Sequence, residues 1–374
     1  MYETGKRFRF TLFGKSHGPC VGGVLEGVPA GTPIDEGMIA SEMALRKPTG
    51  KIGTPRREAD AVELTQGVMD GKATGQPILL KIANGDTDGT KYMKFYDTPR
   101  PGHADLPALL KIPDHDLRGS GQFSGRLTAA IVAAGAIAKQ ILAEDGIRVD
   151  AFTRSVGSVQ DGSPRSAEDA YGSRRFATRA CTKELDDSIR ALIEETGADK
   201  DSVGGVVECI ITGLPIGFGG IWFEALDAEL AKAMFGIPAC KGVEFGDGFG
   251  LARMRGSESN DGYRMEDGRI VTESNHMGGI VGGMCDGAPV VFRTAFKPTP
   301  SIGLEQDTVN LRTEENDTVT VEGRHDPCIV PRAVAVVEAM AALTVVDQIM
   351  RGFRWNSKIS GKRSATSTDS SSNS

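Results

Sequence analysis

RGSGQFSGRLTAAIVAAGAIAKQIL, residues 118–142, is the stretch whose reading decides the fold. Its second half, from Leu127 to Leu142, is an Ala-rich apolar run without proline, which predicts a helix. A helix apolar on nearly every face has to be buried, so this one belongs at the centre of the molecule. Its first half, from Gly119 to Arg126, is a glycine-rich loop that delivers the chain to the helix N-terminus. Unpaired N–H groups and the positive end of the helix dipole gather there and favour an anion; Arg126 and the Ser124 hydroxyl add a charge and a donor. Two readings are open at this point: an anion site, or a glycine loop that only caps a helix.

The same plan recurs near the C-terminus. GRHDPC, residues 323–328, is a charged turn ahead of a second apolar helix, rich in Ala and Val, over about 330–350. No residue-level repeat relates the two, yet they read as pseudo-equivalent halves of one core. Around them, residues 6–13 alternate with Phe8, Phe10 and Leu12 on one face, and 21–28, 61–64, 78–82, 147–156, 203–212, 241–249 and 289–296 read as further strands. Residues 35–46, 183–196 and 223–234 read as helices. Residues 161–179 read as an irregular polar excursion, and 256–272 as a polar loop long enough to be a lid or to lack fixed structure. From Ser357 the Ser-, Thr- and Lys-rich tail reads as disordered, which leaves one domain over residues 1–356.

Composition narrows the function classes. A chain of 374 residues with formal net charge −7 can bury a large core and does not carry the basic footprint of a general nucleic-acid binder. The N-terminus does not read as a signal peptide, and no uninterrupted apolar run reads as long enough to span a bilayer. Cysteines at 20, 181, 209, 240, 285 and 328 form no Cys-x-x-Cys pair, so neither a disulfide framework nor a metal site is expected, and a reducing cytoplasm is the natural setting. The 48 glycines are about twice the usual share, so backbone comes close to something at several places.

Several short motifs carry chemistry. Gly14-Lys15-Ser16 is not a phosphate-binding P-loop, because Arg9 stands where that motif needs its first glycine and the preceding residues form a strand. His17 follows at the strand end. Arg46, Lys47, Lys51, Arg56 and Arg57 make a basic loop shaped by Pro48 and Pro55. Pro99-Arg100-Pro101-Gly102-His103 fixes a histidine beside an arginine on a rigid turn. Asp114-His115-Asp116 looks like a metal cluster, but adjacent loop residues rarely converge on one ion, and a solvated turn is the reading adopted. Gly119-Ser120-Gly121 is no nicotinamide fingerprint, since Ser124 occupies the place of the third glycine. Arginine forks suit phosphate and carboxylate, and histidine suits proton transfer near neutral pH. From the residues alone this is a site for a small polyanion with acid–base work, and with glycine-rich walls that suit a planar cofactor.

GKSHG at 14–18, RPGHAD at 100–105, GQFSGRLTAAIVAAGAIAK at 121–139, SNHMGGIVGG at 274–283, FKPTPS at 296–301 and GRHDPC at 323–328 occur in this order. In this the chain resembles chorismate synthase, from about Arg7 to Arg351. The resemblance implies an α+β fold, with long buried helices between antiparallel sheets around a pseudo-twofold core, and a homotetramer. It implies a lyase that uses reduced FMN to eliminate phosphate from 5-enolpyruvylshikimate 3-phosphate, giving chorismate in the shikimate pathway to aromatic amino acids. NAD(P)H enters only indirectly, through an external flavin reductase that supplies the reduced cofactor. Residue by residue, it implies His17, His103 and Asp326 as catalytic groups. It implies Gln122, Phe123, Ser124, Pro238, Ala239, Gly282, Lys297, Pro298, Thr299, Pro300, Ser301 and Arg324 at the cofactor. It implies Arg46, Arg57, Arg100 and Arg126, with Arg324, on the substrate's phosphate and carboxylates. Lys15 departs from the glutamate usual in the family, and Lys51 stands near a position that is often arginine. No metal, nucleic acid or membrane partner is expected.

Overall fold

The apolar run becomes the α-helix Thr128–Glu144, buried along most of its length, and the C-terminal run becomes Val330–Met350, buried likewise. They come from a computed structural model that describes residues 2–47, 52–53, 59–85, 90–322 and 326–352. Counted with the turn that leads into it, as Gly125–Glu144, the first helix is long and apolar enough to cross a bilayer by length and composition, as is the second, contrary to the expectation that no run reached that length. Here protein takes the place of lipid: the two helices pack on each other and are sheathed by sheets. Their closest approach is made by small residues. A Cβ placed on Gly135 would fall 2.3 Å from the Cβ of Ala339, so glycine is what lets the two backbones meet.

One charge interrupts the first run, and it is fully answered. Lys139 donates to Glu42 at 2.5 Å and to Glu338, while Arg174 bridges the same two carboxylates at 2.8 and 2.9 Å. These residues come from the helix Glu36–Arg46, both central helices and the turn Ser173–Arg175. A buried network of this kind adds little net stability, but leaving one member unpaired costs several kcal/mol, so it fixes how the helices sit on one another.

A five-stranded antiparallel sheet packs on the first central helix, in the order Glu3–Thr4, Arg9–Gly14, Cys20–Glu26, Ile78–Ala83, Glu63–Gln66. A second packs on the other helix, in the order Cys240–Phe245, Val290–Phe296, Gly205–Thr212, Arg148–Val156, Val159–Gln160. The layers therefore run sheet, helix, helix, sheet, and each half repeats the plan of the other. Alternation does the sorting: Val290, Phe292, Thr294 and Phe296 are buried while the residues between them are half-buried. The N-terminal strand is tied to the second helix by Asp347, whose Oδ1 accepts the backbone N–H groups of Lys6, Arg7 and Phe8 at 2.8, 2.6 and 2.9 Å.

Two segments differ from the sequence reading. Residues 161–179 are not an irregular excursion; they hold the capped helix Ala167–Gly172, and Ala170, Ser173 and Thr178 are buried. Residues 256–272 are not a plain loop either. Tyr263–Glu266 and Arg269–Thr272 form an antiparallel ribbon. Asp267 and Gly268 close it, both at positive φ (49° and 75°), as a two-residue type I′ hairpin turn requires. The tail from Ser357 lies outside the described residues.

Candidate active site

Two proline turns contribute walls to a cleft of about 920 Å³. In the first, Pro101 and Gly102 occupy the centre, Gly102 has φ +67°, and the His103 N–H donates to the Arg100 carbonyl at 3.3 Å. This is the geometry of a type II turn, in which proline presets one position and glycine the left-handed next one. It hands His103 to the cleft wall. In the second, Pro238 and Ala239 occupy the centre, and the Cys240 N–H donates to the Ile237 carbonyl at 3.2 Å. Ala239 takes φ +69° without being glycine, a strain of about 1–2 kcal/mol that the surroundings sustain at the cleft surface.

His103 does not stand alone. Its Nδ1 lies 2.6 Å from Oδ1 of Asp105, whose side chain is fully buried. Arg100 closes on the same carboxylate, with Nε 2.7 Å from Oδ2 and Nη2 2.9 Å from Oδ1. Burial would push the Asp105 carboxyl up, but hydrogen bonds from His103 and Arg100, with their charges, hold it well below the usual carboxylate range. Arg100 spends further donors on the hydroxyls of Ser301 (3.1 Å) and Ser120 (3.3 Å) and lies 4.6 Å over the Phe95 ring.

His17 sits behind that wall. Its turn is stitched by Asn84, which donates to the carbonyls of Lys15 and Gly18 at 3.0 and 2.8 Å, and the Ser16 N–H reaches the Gly121 carbonyl at 3.4 Å. The imidazole packs edge-on to Tyr92, 5.4 Å between centroids, and Tyr92 in turn borders Arg100. Gly119 leaves the ring its space: a Cβ there would stand 1.9 Å from His17 Nδ1. The glycine loop therefore does more than cap a helix; it wraps His17. Lys15 turns toward Asp116, 3.9 Å away.

Asp326 is gripped from the first turn of the second central helix, where Arg332 Nη1 lies 2.5 Å from its Oδ2. The other oxygen, Oδ1, is buried with no hydrogen-bond partner among the described residues. Burial pushes this carboxyl up, against the pull of Arg332 and Arg46. Arg332 Nε also donates to the Arg46 carbonyl at 3.3 Å and lines the cleft. Arg46 and Arg126 converge on one more carboxylate, Asp60, which takes Arg46 Nη1 at 3.2 Å on one oxygen and Arg126 Nη1 on the other.

Gln122, Phe123, Ser124, Pro238, Ala239, Lys297, Thr299 and Pro300 line the cleft together with Arg46 and His103. Ser301 and Pro298 stand beside it, Ser301 holding Arg100. Gly282 does not line it and instead turns the small ribbon Ile280–Val281 and Met284–Cys285. Arg57 and Arg324 lie outside the described residues. His115 corrects the solvated-turn reading. It is buried and edge-on to Phe123 at 5.5 Å, and burial pushes its imidazole down.

The donor set suits a flat ring with an anionic tail. Ile131, Val336, Met340 and Phe123 offer an apolar wall, Gln122, Ser124 and Thr299 offer polar edges, and Lys297 offers a cation. Burial, with Lys241 as a like charge nearby, pushes the Lys297 ammonium down, so an anion there would restore its charge. The cleft is also within the roughly 300–1,000 Å³ range of small-molecule sites. Sequence reasoning missed Asp60, Asp105 and Arg332. Asp105 was visible two residues past His103, and Arg332 as a lone charge opening an apolar helix; nothing local marked Asp60.

A family model described as chorismate synthase matches residues 8–350. Similar curated relatives, each named chorismate synthase, include those of Dehalococcoides mccartyi, 45% identical over 93% of this chain and 96% of the relative, and of Aeropyrum pernix, 48% identical over 92% of each. A third, from Thermococcus kodakarensis, is 43% identical over 95% of this chain and 99% of its own. A solved structure titled "Crystal Structure of Chorismate Synthase" superposes with TM-score 0.75 at 30% identity, covering 93% of both chains.

Proposed function

Because the chain belongs to the chorismate synthase family, we propose that it converts 5-enolpyruvylshikimate 3-phosphate to chorismate by eliminating phosphate across the ring, with reduced FMN as cofactor. The observation that carries this reading is a single cleft walled by His103 on its Asp105 carboxylate, by Arg46, and by the 122–124, 238–239 and 297–300 segments. Gln122, Phe123, Ser124, Pro238, Ala239, Lys297, Thr299 and Pro300 are the described residues that would hold the flavin. When bound, reduced FMN supplies an electron to the substrate ring and recovers it, so there is no net redox change.

The chain's own residues supply position and protons. Arg46, Arg57, Arg100 and Arg126 grip the phosphate and carboxylates, which suit guanidinium forks. As the carbon–oxygen bond to phosphate breaks, the leaving oxygen gains charge, and His103 gives it a proton. At the other end of the elimination a ring carbon–hydrogen bond breaks, and Asp326 is the carboxylate that works in its removal; its Oδ1 has no side-chain hydrogen-bond partner among the described residues. His17, behind the His103 wall, would hold a proton for the reduced cofactor.

Anaerobic incubation with the enolpyruvyl substrate tests the reading. Phosphate release with substoichiometric reduced FMN is the expected result. Stoichiometric consumption of reductant would instead make the protein an oxidoreductase, and binding without phosphate release a scaffold. We further propose that an external reductase supplies the flavin, so that NAD(P)H alone does not sustain turnover in the same assay.

We also propose a homotetramer. Ile221, Trp222 and Phe223 are 59%, 83% and 92% exposed in the single chain, and Phe249, Tyr263 and Met265 are exposed as well. Large rings this bare on a monomer are the mark of an interaction surface. Light scattering should give about four times the 39.6 kDa chain mass, and the double variant Trp222→Asp, Phe223→Asp should give a smaller species. A wild-type monomer would end this proposal.

A further inference from the structure

We propose that Asp105 is the positioning residue for His103, fixing its imidazole as the Nδ1–H tautomer, and that Arg100 holds the Asp105 carboxylate in place for that task. The proposal deepens the reading above and rests on it for the chemical task of His103.

The geometry leaves one tautomer. His103 Nδ1 faces Oδ1 of Asp105 at 2.6 Å and Nη2 of Arg100 at 3.4 Å. An ionised carboxylate can only accept and a guanidinium can only donate. The short contact is to the carboxylate, so Nδ1 carries the hydrogen and donates it. Nε2 is then the ring atom left to give up or take a proton on the cleft side. Without Asp105 the imidazole could rotate or change tautomer, and the proton would sit on the wrong nitrogen.

A plainer reading is that Asp105 only opens the short helix Asp105–Lys111 and steadies the turn. It does accept the Arg100 backbone N–H at 3.2 Å. Yet its remaining partners are the two side chains with charges to balance, and the side chain has no exposure to solvent. Arg100 clamps both oxygens of that carboxylate, so the oxygen facing His103 has a fixed position. Arg100 is itself immobilised by Ser301, Ser120 and the Phe95 face. Among the described residues, His115 from the following loop lies near His103, and Glu3, Arg46, Lys232, Lys241, Lys297 and Arg332 line the same cleft. All of these stay in place in the variants that follow.

Nitrogen-15 NMR of histidine-labelled full-length protein is the test. The chain has five histidines, and His103→Asn assigns the signal. The expected wild-type spectrum has the His103 proton on Nδ1 in the neutral form. In Asp105→Asn the neutral His103 ring should no longer hold its proton on Nδ1 alone. In turnover, Asp105→Asn should lower kcat about 10²-fold, because orientation and proton placement are lost. A purely structural Asp105 would lower stability and leave the His103 tautomer unchanged in Asp105→Asn. A wild-type Nε2–H tautomer, or an Nδ1–H tautomer unchanged in Asp105→Asn, overturns the proposal. If Asp105→Asn does not fold, the wild-type tautomer still decides. If the NMR result stands and no phosphate is released from the enolpyruvyl substrate, the proposed reaction is what falls.

Discussion

His103→Ala is expected to lower kcat by about 10²–10⁴-fold, the usual worth of a general acid and about 3–5 kcal/mol of barrier. The leaving group is an anion whose charge grows as its bond to the ring breaks. Its proton has to come from a group already in the cleft, and among the described residues His103 is the histidine that lines it. The loss should fall on kcat, because the arginines proposed to grip substrate and the walls proposed to hold flavin are untouched. Flavin binding in the presence of substrate, followed by the change in its absorbance, should stay within a few-fold of wild type. Truncation also leaves Asp105 with Arg100 alone, a pair with two bonds between 2.7 and 2.9 Å, so the fold should survive. Near-normal phosphate release by this variant would remove His103 from the acid's role.

The second large effect is expected at Asp326. Asp326→Asn keeps the shape and removes the charge, and single-turnover ring deprotonation should slow by about 10²-fold or more, with substrate still bound. The wild-type pH profile should carry the same residue's signature. Burial raises this carboxyl, so the form that can accept a proton appears only above a pH higher than the ordinary carboxylate value of about 4. Activity should therefore fall as pH drops through that raised value, and the fall should vanish with the activity in Asp326→Asn. For stability the sign is reversed: an acid whose folded pKa is raised takes up its proton more readily in the folded state, so its contribution favours the fold at low pH and is lost as pH rises through the folded value. Unchanged single-turnover kinetics in Asp326→Asn would count against the assignment.

The sequence was most legible where backbone chemistry is local. The helix Glu36–Arg46 begins at Asp35, whose carboxylate accepts the N–H groups of Gly37 and Met38. The second central helix spans the residues its apolar run marked. The turn at Arg100–His103 follows from proline ahead of glycine. Reading failed where it relied on polarity instead of turn chemistry. The stretch 256–272 looked like loop because it is polar, but Asp267-Gly268 between two short runs is a hairpin signal, and it won. His115 misled for the converse reason: its neighbours are acidic and hydrophilic, but its ring is turned inward onto Phe123.

By itself, then, the sequence determined the two buried helices, the alternating strands on either side, the rigid turn that carries His103, and, through its ordered motifs, the family. Each of these is set within a few residues, by the period of apolar side chains or by the allowed backbone angles of proline and glycine. Only the tertiary structure decided which charges meet: Asp60 between Arg46 and Arg126, Arg332 on Asp326, Lys139 between Glu42 and Glu338. Such pairs join residues on different elements, some separated by more than a hundred positions. What brings them together is the packing of sheets on helices, and burial then makes each unpaired charge too costly to leave; no local pattern along the chain encodes that choice.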